Sequence, residues 1–170
     1  MAHGTRPAAN PFITWLSRWW PALLWAAMIW VLSTGVFGDS HTSRLILPLL
    51  HWLFPAWPPD KLLLWHHLIR KTAHIAEYFV FSLLITRSIR LGHPGRQWRW
   101  TLVAIAMLAV YATLDEYHQS FVPGRTPAVA DVLLDVVGGA AGQVLAGLLA
   151  FWREERRRAA ARPPGAGGAS

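Results

Sequence analysis

The residues best suited to chemistry are a few acids that lie inside or at the edges of strongly apolar segments. Of nine Asp and Glu in 170 residues, five are placed in this way: Glu77, Asp115, Glu116, Asp131 and Asp135. Basic and amide residues accompany them, namely Lys71, His74, Gln119 and Arg125. Ionised groups at membrane depth are costly, so they tend to face a bundle interior and to mark a functional site.

Composition places the chain among membrane proteins. It is 54% hydrophobic and 15% charged, against about 25% charged residues in an ordinary soluble domain. The eleven tryptophans suit the interface between hydrocarbon and water. The net charge of +7 does not indicate nucleic acid, because the arginines cluster beside apolar segments rather than along one basic face. The absence of cysteine excludes disulfides and thiolate metal sites.

Four segments are apolar enough to cross a bilayer, which takes about 20 residues each. They are residues 16–36, 62–89, 98–115 and 128–152. Pro21 would lie in the first turn of the first helix, where proline is tolerated. The stretch 38–59, apolar but interrupted by prolines, is too short to cross and return, and it predicts an interfacial or re-entrant segment. The expected fold is an all-α, polytopic transmembrane bundle of four spans (16–152), between an N-terminal segment (1–15) and a basic, disordered tail (153–170).

Basic residues in the short flanks predict the orientation. Most lysines and arginines border one side of the four spans, namely Arg6, Arg18, Arg87, Arg90, Arg96, Arg99, Arg153, Arg156, Arg157, Arg158 and Arg162. Because cytoplasmic loops are enriched in Lys and Arg, both termini are predicted to be cytoplasmic.

This topology gathers the polar residues at the outer end of the bundle. Lys71, His74 and Glu77 fall within an arc of about 120° at 3.6 residues per turn. Asp131 and Asp135 are one turn apart and share a face, which continues through the G-x-x-x-G motif at 138–142. Small residues at this spacing allow close approach of another helix, so both aspartates are expected to point into the bundle.

The residues leave three hypotheses open for this cluster. In the first, Arg125 and Lys71 pair with carboxylates and only hold helix ends together. In the second, Lys71, His74 and Arg125 bind an anionic headgroup, with His74 or a carboxyl as acid or base. In the third, carboxylates and His74 hold a divalent metal.

Two stretches resemble the VanZ-like membrane proteins. The first is K-T-A-H-I-A-E-Y-F-V-F-S-L-L, residues 71–84, and the second is D-E-Y-H-Q-S-F-V-P-G-R-T-P-A-V-A-D-V-L-L-D-V-V-G-G-A-A-G, residues 115–142. Ser33, at the end of the first helix, is similar in position to a family serine. The family pattern usually has asparagine where this chain has Asp135. Two ionised carboxylates one turn apart cannot hydrogen-bond to each other, so either Asp135 takes a proton or a cation bridges the pair.

The resemblance implies a multi-pass protein of the bacterial inner membrane, in a family named for a member linked to teicoplanin resistance. We therefore predict an envelope protein that binds or acts on an anionic lipid or cell-wall-precursor headgroup, with the bilayer as its other partner. The predicted catalytic residues are His74, Glu77, Glu116 and Asp131, and the predicted substrate-binding residues are Lys71, Asp115, Gln119, Arg125 and Asp135. No cofactor or metal ligand is assigned. The alternative is a non-enzymatic accessory protein whose charges only secure helix ends.

Overall fold

The computed structural model describes residues 10–34, 39–92, 98–122 and 128–161, with side chains from 43 onward in the second range. Within these residues the regular secondary structure is entirely helical, without strands, as predicted. The helices are α1 (Pro11–Leu32), α2 (Asp39–Leu53), α3 (Pro59–Gly92), α4 (Trp98–Gln119) and α5 (Val129–Ala160).

Helix α1 begins earlier than predicted. Asn10 is its N-cap, and the side-chain oxygen accepts the N–H of Phe12 at 2.9 Å. Pro11 occupies the first helical position, where the missing N–H costs nothing. Pro21 therefore lies inside the helix rather than in its first turn, and the predicted cytoplasmic segment 1–15 includes the start of α1.

The other helices also differ from their predicted bounds. The stretch expected to be interfacial or re-entrant contains α2, a helix of 15 residues with Pro48 inside it. Helix α4 continues to Gln119, so Asp115 and Glu116 lie in its last turns rather than at its end. Helix α5 continues to Ala160. The prediction of a disordered tail from residue 153 was therefore wrong for 153–160, and residues 162–170 lie outside the described part.

Helix α3 is the centre of the bundle and packs against α1, α2, α4 and α5, most extensively against α5. Contacts between Lys71 and Asp131 and between Arg90 and Ala146 show that α3 and α5 run parallel. Trp25 donates its indole N–H to the backbone carbonyl of Glu77, and Ser88 donates its hydroxyl to that of Arg18. Helix α1 therefore runs antiparallel to α3. The C-terminal ends of α1 and α4 therefore lie at the same end of the bundle as the beginning of α5 and residues 71–77 of α3.

Two glycines set the distance between α3 and α5. A Cβ on Gly138 would lie 2.6 Å from the carbonyl oxygen of Ile75, and one on Gly142 would lie 2.7 Å from that of Phe79. The prediction that the G-x-x-x-G motif permits a close helix approach is confirmed. Gly139 faces α4, where a Cβ would lie 2.7 Å from the end of the Leu108 side chain.

The exterior of the bundle is apolar, and its interior combines apolar with polar side chains. Its core is formed mainly by residues such as Ile29, Tyr78, Ile85 and Leu108. Polar side chains are also buried with them, including Ser82, Ser88, Asp115, Asp135 and Gln143. Large apolar side chains cover the exterior and are 60–63% exposed at Leu24, Val110, Leu133, Val137 and Val144.

Of the described helices, only α5 meets a length-and-apolarity criterion for crossing a membrane. Helix α3 is long, but charged residues interrupt its apolar run. The four-span topology and its orientation stay predictions.

Candidate functional site: a polar cluster at one end of the bundle

The structure brings eight of the nine predicted site residues to one end of the bundle. They come from three helices: Lys71, His74 and Glu77 from α3, Asp115, Glu116 and Gln119 from α4, and Asp131 and Asp135 from α5. The ninth, Arg125, lies outside the described residues. We call the eight residues the polar cluster.

A histidine and an aspartate face each other at the centre of the polar cluster. The Nδ1 atom of His74 lies 3.5 Å from Oδ1 of Asp135, with the two side chains 24% and 4% exposed. This distance is long for a hydrogen bond, but it forms an ion pair whenever the imidazole is protonated. The close packing at Gly138, less than one turn further along α5, fixes Asp135 against α3. His74 is thus an accessible imidazole with a buried carboxylate behind it.

Two further carboxyls act on the same imidazole. His74 interacts electrostatically with Glu77 and Asp115 as well as with Asp135. Glu77 is partly buried, and its backbone carbonyl accepts the indole N–H of Trp25 at 2.9 Å. That bond attaches α1 to α3 beside the cluster. Three carboxyls around one imidazole make this interior acidic.

A hydrogen-bonded group joins the ends of α1 and α4. Ser33 donates its hydroxyl to Oδ2 of Asp115 at 2.9 Å, and Gln119 donates its amide to the same oxygen at 2.9 Å. The Gln119 amide also lies 3.2 Å from the Ser33 hydroxyl. All three residues are buried. Asp115 and Gln119, predicted to bind substrate, therefore have an evident structural role.

Lys71 and Asp131 form the outer edge of the cluster. Their Nζ and Oδ1 atoms are 3.6 Å apart, and the side chains are 57% and 43% exposed. An exposed pair of this kind contributes at most about 1 kcal/mol to stability. Both aspartates of α5 face α3, as predicted, but only Asp135 is buried, whereas Asp131 lies half exposed.

Glu116 holds the start of α5. Its Oε1 accepts the backbone N–H of Ala128 at 2.7 Å. Ala128 is the N-cap of α5 and has no side chain able to cap the helix. The carboxylate of a neighbouring helix thus satisfies a backbone donor at this end, where a negative charge is also favoured by the helix dipole.

Buried atoms in this region with hydrogen-bonding capacity that the described residues do not meet include the hydroxyl of Tyr78 and the Oδ1 atoms of Asp115 and Asp135. Tyr78 is fully buried and interacts electrostatically with both aspartates. Buried polar atoms without partners are rare in folded proteins, and they are often completed by water, an ion or a proton.

The metal hypothesis gains no support from the geometry. Across the described ranges, no three histidine, aspartate or glutamate side chains form a group suited to hold a metal ion. The partners of Asp131 and Asp135 are instead Lys71 and His74 on α3.

The sequence reasoning missed a second polar group deeper in the bundle. Gln143 donates its amide to the hydroxyls of Ser82 at 2.7 Å and Thr86 at 2.8 Å. Gln143 directly follows Gly142 of the glycine motif, and Ser82 and Thr86 are one turn apart on α3. A polar residue beside a close-packing glycine was the signal that could have identified this group.

Fold and site together define an all-α protein whose apolar helices enclose charged residues at one end. The chain belongs to the VanZ/LLP1 family, whose sequence model matches residues 19–150. This range contains the whole polar cluster and confirms the resemblance seen in the two motifs. No curated protein and no solved structure matches the chain.

Proposed function

We propose that this protein is a four-span integral membrane protein of the bacterial inner membrane, and that its polar cluster binds the anionic headgroup of a lipid or glycan-lipid at the outer face. The membrane part of the proposal is supported by the apolar exterior of the bundle and by the acids buried inside it. Val110 and Val144 are more than 60% exposed, whereas Asp115 and Asp135 are at most 3% exposed. Hydrocarbon around the bundle would make this arrangement favourable.

The orientation is supported by the distribution of charge between the two ends. The end opposite the polar cluster carries basic residues from four helices: Arg18, Arg87, Arg90, Arg99 and Arg158. By the positive-inside rule this end faces the cytoplasm, which puts the polar cluster outside. Helices α1 and α4 then cross outward and α3 and α5 cross inward.

The length of α3 indicates where α2 would lie relative to the membrane. A helix of 34 residues is about 51 Å long, whereas the hydrocarbon core is about 30 Å thick. The first turns of α3 therefore extend beyond the polar cluster on the outer side, together with α2. Trp52 on α2 and Trp65 on α3 are exposed there, as expected for side chains at headgroup level.

One observation carries the site proposal: His74 is accessible while its carboxylate partner, Asp135, is buried. A buried carboxylate orients an imidazole and stabilises its protonated form, which suits the imidazole to bind an anion or to transfer a proton. Lys71 lies one turn before His74 and is itself held by Asp131. Lys71 and Arg125 would bind phosphate, and His74 would carry the proton.

The carboxylates have different roles in this proposal. Asp131 orients Lys71, and Asp135 orients His74. Glu116 holds the beginning of α5 and so keeps both aspartates in position. Glu77 and Asp115 set the negative potential around the imidazole.

Substitutions at His74 and Lys71 test the proposal. We expect His74→Gln and Lys71→Gln to lower glycopeptide (teicoplanin) resistance in a host that expresses the protein, at an unchanged amount of folded membrane protein. Loss of the exposed ion pair between Lys71 and Asp131 should lower the stability only slightly. His67→Gln is the matched control, because His67 is an exposed histidine on the same helix outside the cluster. Arg125→Lys applies the same test, with the same expected loss of resistance, to the connection between α4 and α5.

A non-enzymatic, accessory role is the second candidate. The hydrogen bonds among Ser33, Asp115 and Gln119 and the bond from Ala128 to Glu116 favour it, because they secure helix ends. Under this alternative, every variant that loses the phenotype also loses folded protein. Loss of phenotype in His74→Gln at wild-type protein level excludes it.

A further inference from the structure

A wide groove separates α2 from the first turns of α3. Its volume is about 640 Å³, within the roughly 300–1,000 Å³ typical of ligand pockets. Leu47 of α2 and Leu62 and Leu63 of α3 form its apolar walls. Leu62 is buried, whereas Leu63 is 48% exposed, so the groove is closed at Leu62 and open beside Leu63.

Helix α2 has an apolar face and a separate basic edge. Leu45, Leu49 and Trp52 are exposed and lie within an arc of about 60° at 3.6 residues per turn. Arg44 and His51 lie two turns apart on another face, and both line the groove. A helix of 15 residues is about 22 Å long, too short to cross a hydrocarbon core of about 30 Å. A wide apolar face bordered by basic residues is typical of a helix that lies in the membrane interface.

The positive charge of Arg44 is not neutralised by a neighbouring carboxylate. Arg44 is exposed and forms no salt bridge within the part of the chain that the structure describes. The acid of α3 beside the groove is Asp60, which follows the lining residue Pro59, and no described salt bridge joins it to Arg44. The guanidinium can therefore bind a phosphate through two parallel N–H groups. His51 adds a ring nitrogen that can also donate.

Pro48 leaves a backbone acceptor at the same place. Proline has no N–H, so Pro48 cannot donate to the carbonyl of Arg44 four residues earlier, as a regular helical residue would. Both residues line the groove. The Arg44 carbonyl is thus without its regular helical donor and can accept a hydroxyl. A phosphate, a hydroxyl and a hydrocarbon chain in one small molecule match these groups and the apolar walls beside them.

We propose that this groove binds an anionic lysophospholipid, a glycerophospholipid with a single acyl chain, from the outer leaflet. Its phosphate lies on the Arg44 guanidinium, its free glycerol hydroxyl donates to the Arg44 carbonyl, and its chain lies along Leu47 and Leu62. In a lipid with two chains that hydroxyl is esterified and cannot donate. The inference rests on the proposed outer position of α2 and is independent of headgroup binding at the polar cluster.

The position of the groove at headgroup level favours a hydrocarbon occupant. Apolar walls that face water lose exposed area when a chain covers them, and the hydrophobic effect makes this change favourable. A groove that faced the hydrocarbon core would lack this driving force, because its surroundings would already be apolar. Arg44 then gives the preference for an anionic head.

The charge is tested by the lipid that the full-length protein retains in detergent. The probes are oleoyl lysophosphatidic acid and oleoyl lysophosphatidylcholine, which share the chain and the glycerol hydroxyl and differ in net charge. Native mass spectrometry counts the bound lipid. We expect one lysophosphatidic acid to be retained severalfold more than lysophosphatidylcholine. Arg44→Gln should remove this preference, whereas Lys61→Gln, at an exposed cation of α3 that does not line the groove, should leave it unchanged.

The backbone acceptor and the apolar walls are tested by separate variants. Pro48→Ala restores an N–H for the Arg44 carbonyl, so it should remove the preference for lysophosphatidic acid over an analogue whose glycerol hydroxyl is methylated. Leu47→Trp fills the groove and should reduce retention of both lysolipids severalfold. Leu49→Trp is the matched control, because Leu49 is exposed on another face of α2 and does not line the groove.

Several outcomes would overturn the inference. They are equal retention in Leu47→Trp and Leu49→Trp, an unchanged preference in Arg44→Gln, and a change from dimer to monomer in Leu47→Trp without a change in lipid, which would identify the occupant as a second copy. None of these results affects the polar cluster, which is tested by resistance in the His74 and Lys71 variants. Release of the protein from membranes by alkaline carbonate without detergent would overturn the membrane position on which both proposals rest.

Discussion

At the scale of single residues, the polar cluster separates groups that hold the fold from groups open to a ligand. Asp115 is buried and accepts two hydrogen bonds, from Ser33 and Gln119. His74 and Lys71 of α3 are accessible and face the carboxylates of Asp135 and Asp131 on α5. The buried set connects α1 to α4, and the accessible set lies between α3 and α5. Loss of a member of the first set is thus expected to cost stability, whereas conservative changes in the second set, such as His74→Gln, are expected to cost function at an unchanged protein level.

A double-mutant cycle tests the coupling of His74 and Asp135. His74→Ala should destabilise the protein by about 1–3 kcal/mol, because it leaves the buried Asp135 carboxylate without its partner. Asp135→Asn, the residue usual in the family pattern, removes that charge and should change stability by less than about 1 kcal/mol. His74→Ala should then cost much less in the Asp135→Asn background. Reversible unfolding in mixed detergent micelles measures all four free energies, and simple additivity would contradict the pairing.

The Ser33 hydroxyl offers a second test of stability. Ser33→Ala removes a buried donor to Asp115 and should lower the free energy of unfolding by about 1–3 kcal/mol. Ser17→Ala is the control on the same helix, because its hydroxyl bonds an exposed backbone carbonyl one turn away. An equal effect of the two substitutions in the same unfolding assay would show that the Ser33–Asp115 bond does not stabilise the helix ends.

Most members of the cluster could be predicted from sequence, but their partners could not. Helical phase places Lys71, His74 and Glu77 on one face, and the order of apolar segments places Asp115 and Asp131 at the same end. The bond from Ser33 to Asp115 joins residues 82 positions apart, and it depends on how α1 packs against α4. The sequence contains no local signal for that choice.

At the scale of elements, glycine spacing decides how α3 and α5 meet. Gly138 and Gly142 bring the backbones together where a methyl group would overlap carbonyl oxygens. The G-x-x-x-G pattern predicted this contact because it depends on local spacing along one helix. Helix bounds were predicted less well. An apolar run identifies the part of a helix suited to lipid, but the backbone hydrogen bonds of the helix can continue into polar residues beyond that run. Helix α5 accordingly continues through Arg153–Arg158, well beyond its apolar part.

A pair of glycine substitutions should have opposite effects on stability. Gly138→Ala places a Cβ 2.6 Å from the carbonyl oxygen of Ile75, so we expect a loss of about 1–3 kcal/mol through overpacking. Gly147→Ala, on the same helix, meets nothing within 4 Å and should stabilise by up to about 1 kcal/mol through higher helix propensity. Thermal unfolding of the purified variants measures both. A shift of the same sign in the two variants would contradict the packing of α5 on α3.

At the scale of the whole molecule, two polar ends have opposite character. One end gathers carboxylates around His74, and the other gathers arginines around the beginnings of α1 and α4 and the ends of α3 and α5. The antiparallel arrangement of α1 with α3 and the parallel arrangement of α3 with α5 produce this separation, because each of these helices carries the chain from one end of the bundle to the other. The arrangement is the one expected of four spans with both termini on the basic side, and it makes the orientation testable at single positions.

The absence of cysteine from the chain makes that test clean. Single cysteines can be introduced at Ala56, in the connection between α2 and α3, at Gln97, between α3 and α4, and at Ala166, near the C-terminus. A membrane-impermeant maleimide should label Ala56→Cys in cells whose outer barrier has been opened, because this connection lies on the side of the polar cluster. Gln97→Cys and Ala166→Cys should be labelled only after the inner membrane is permeabilised, since the positive-inside rule predicts a cytoplasmic position for the basic residues around them. Labelling of Gln97→Cys but not of Ala56→Cys before permeabilisation would reverse the orientation, place the polar cluster inside, and remove the basis for an outer-face headgroup site.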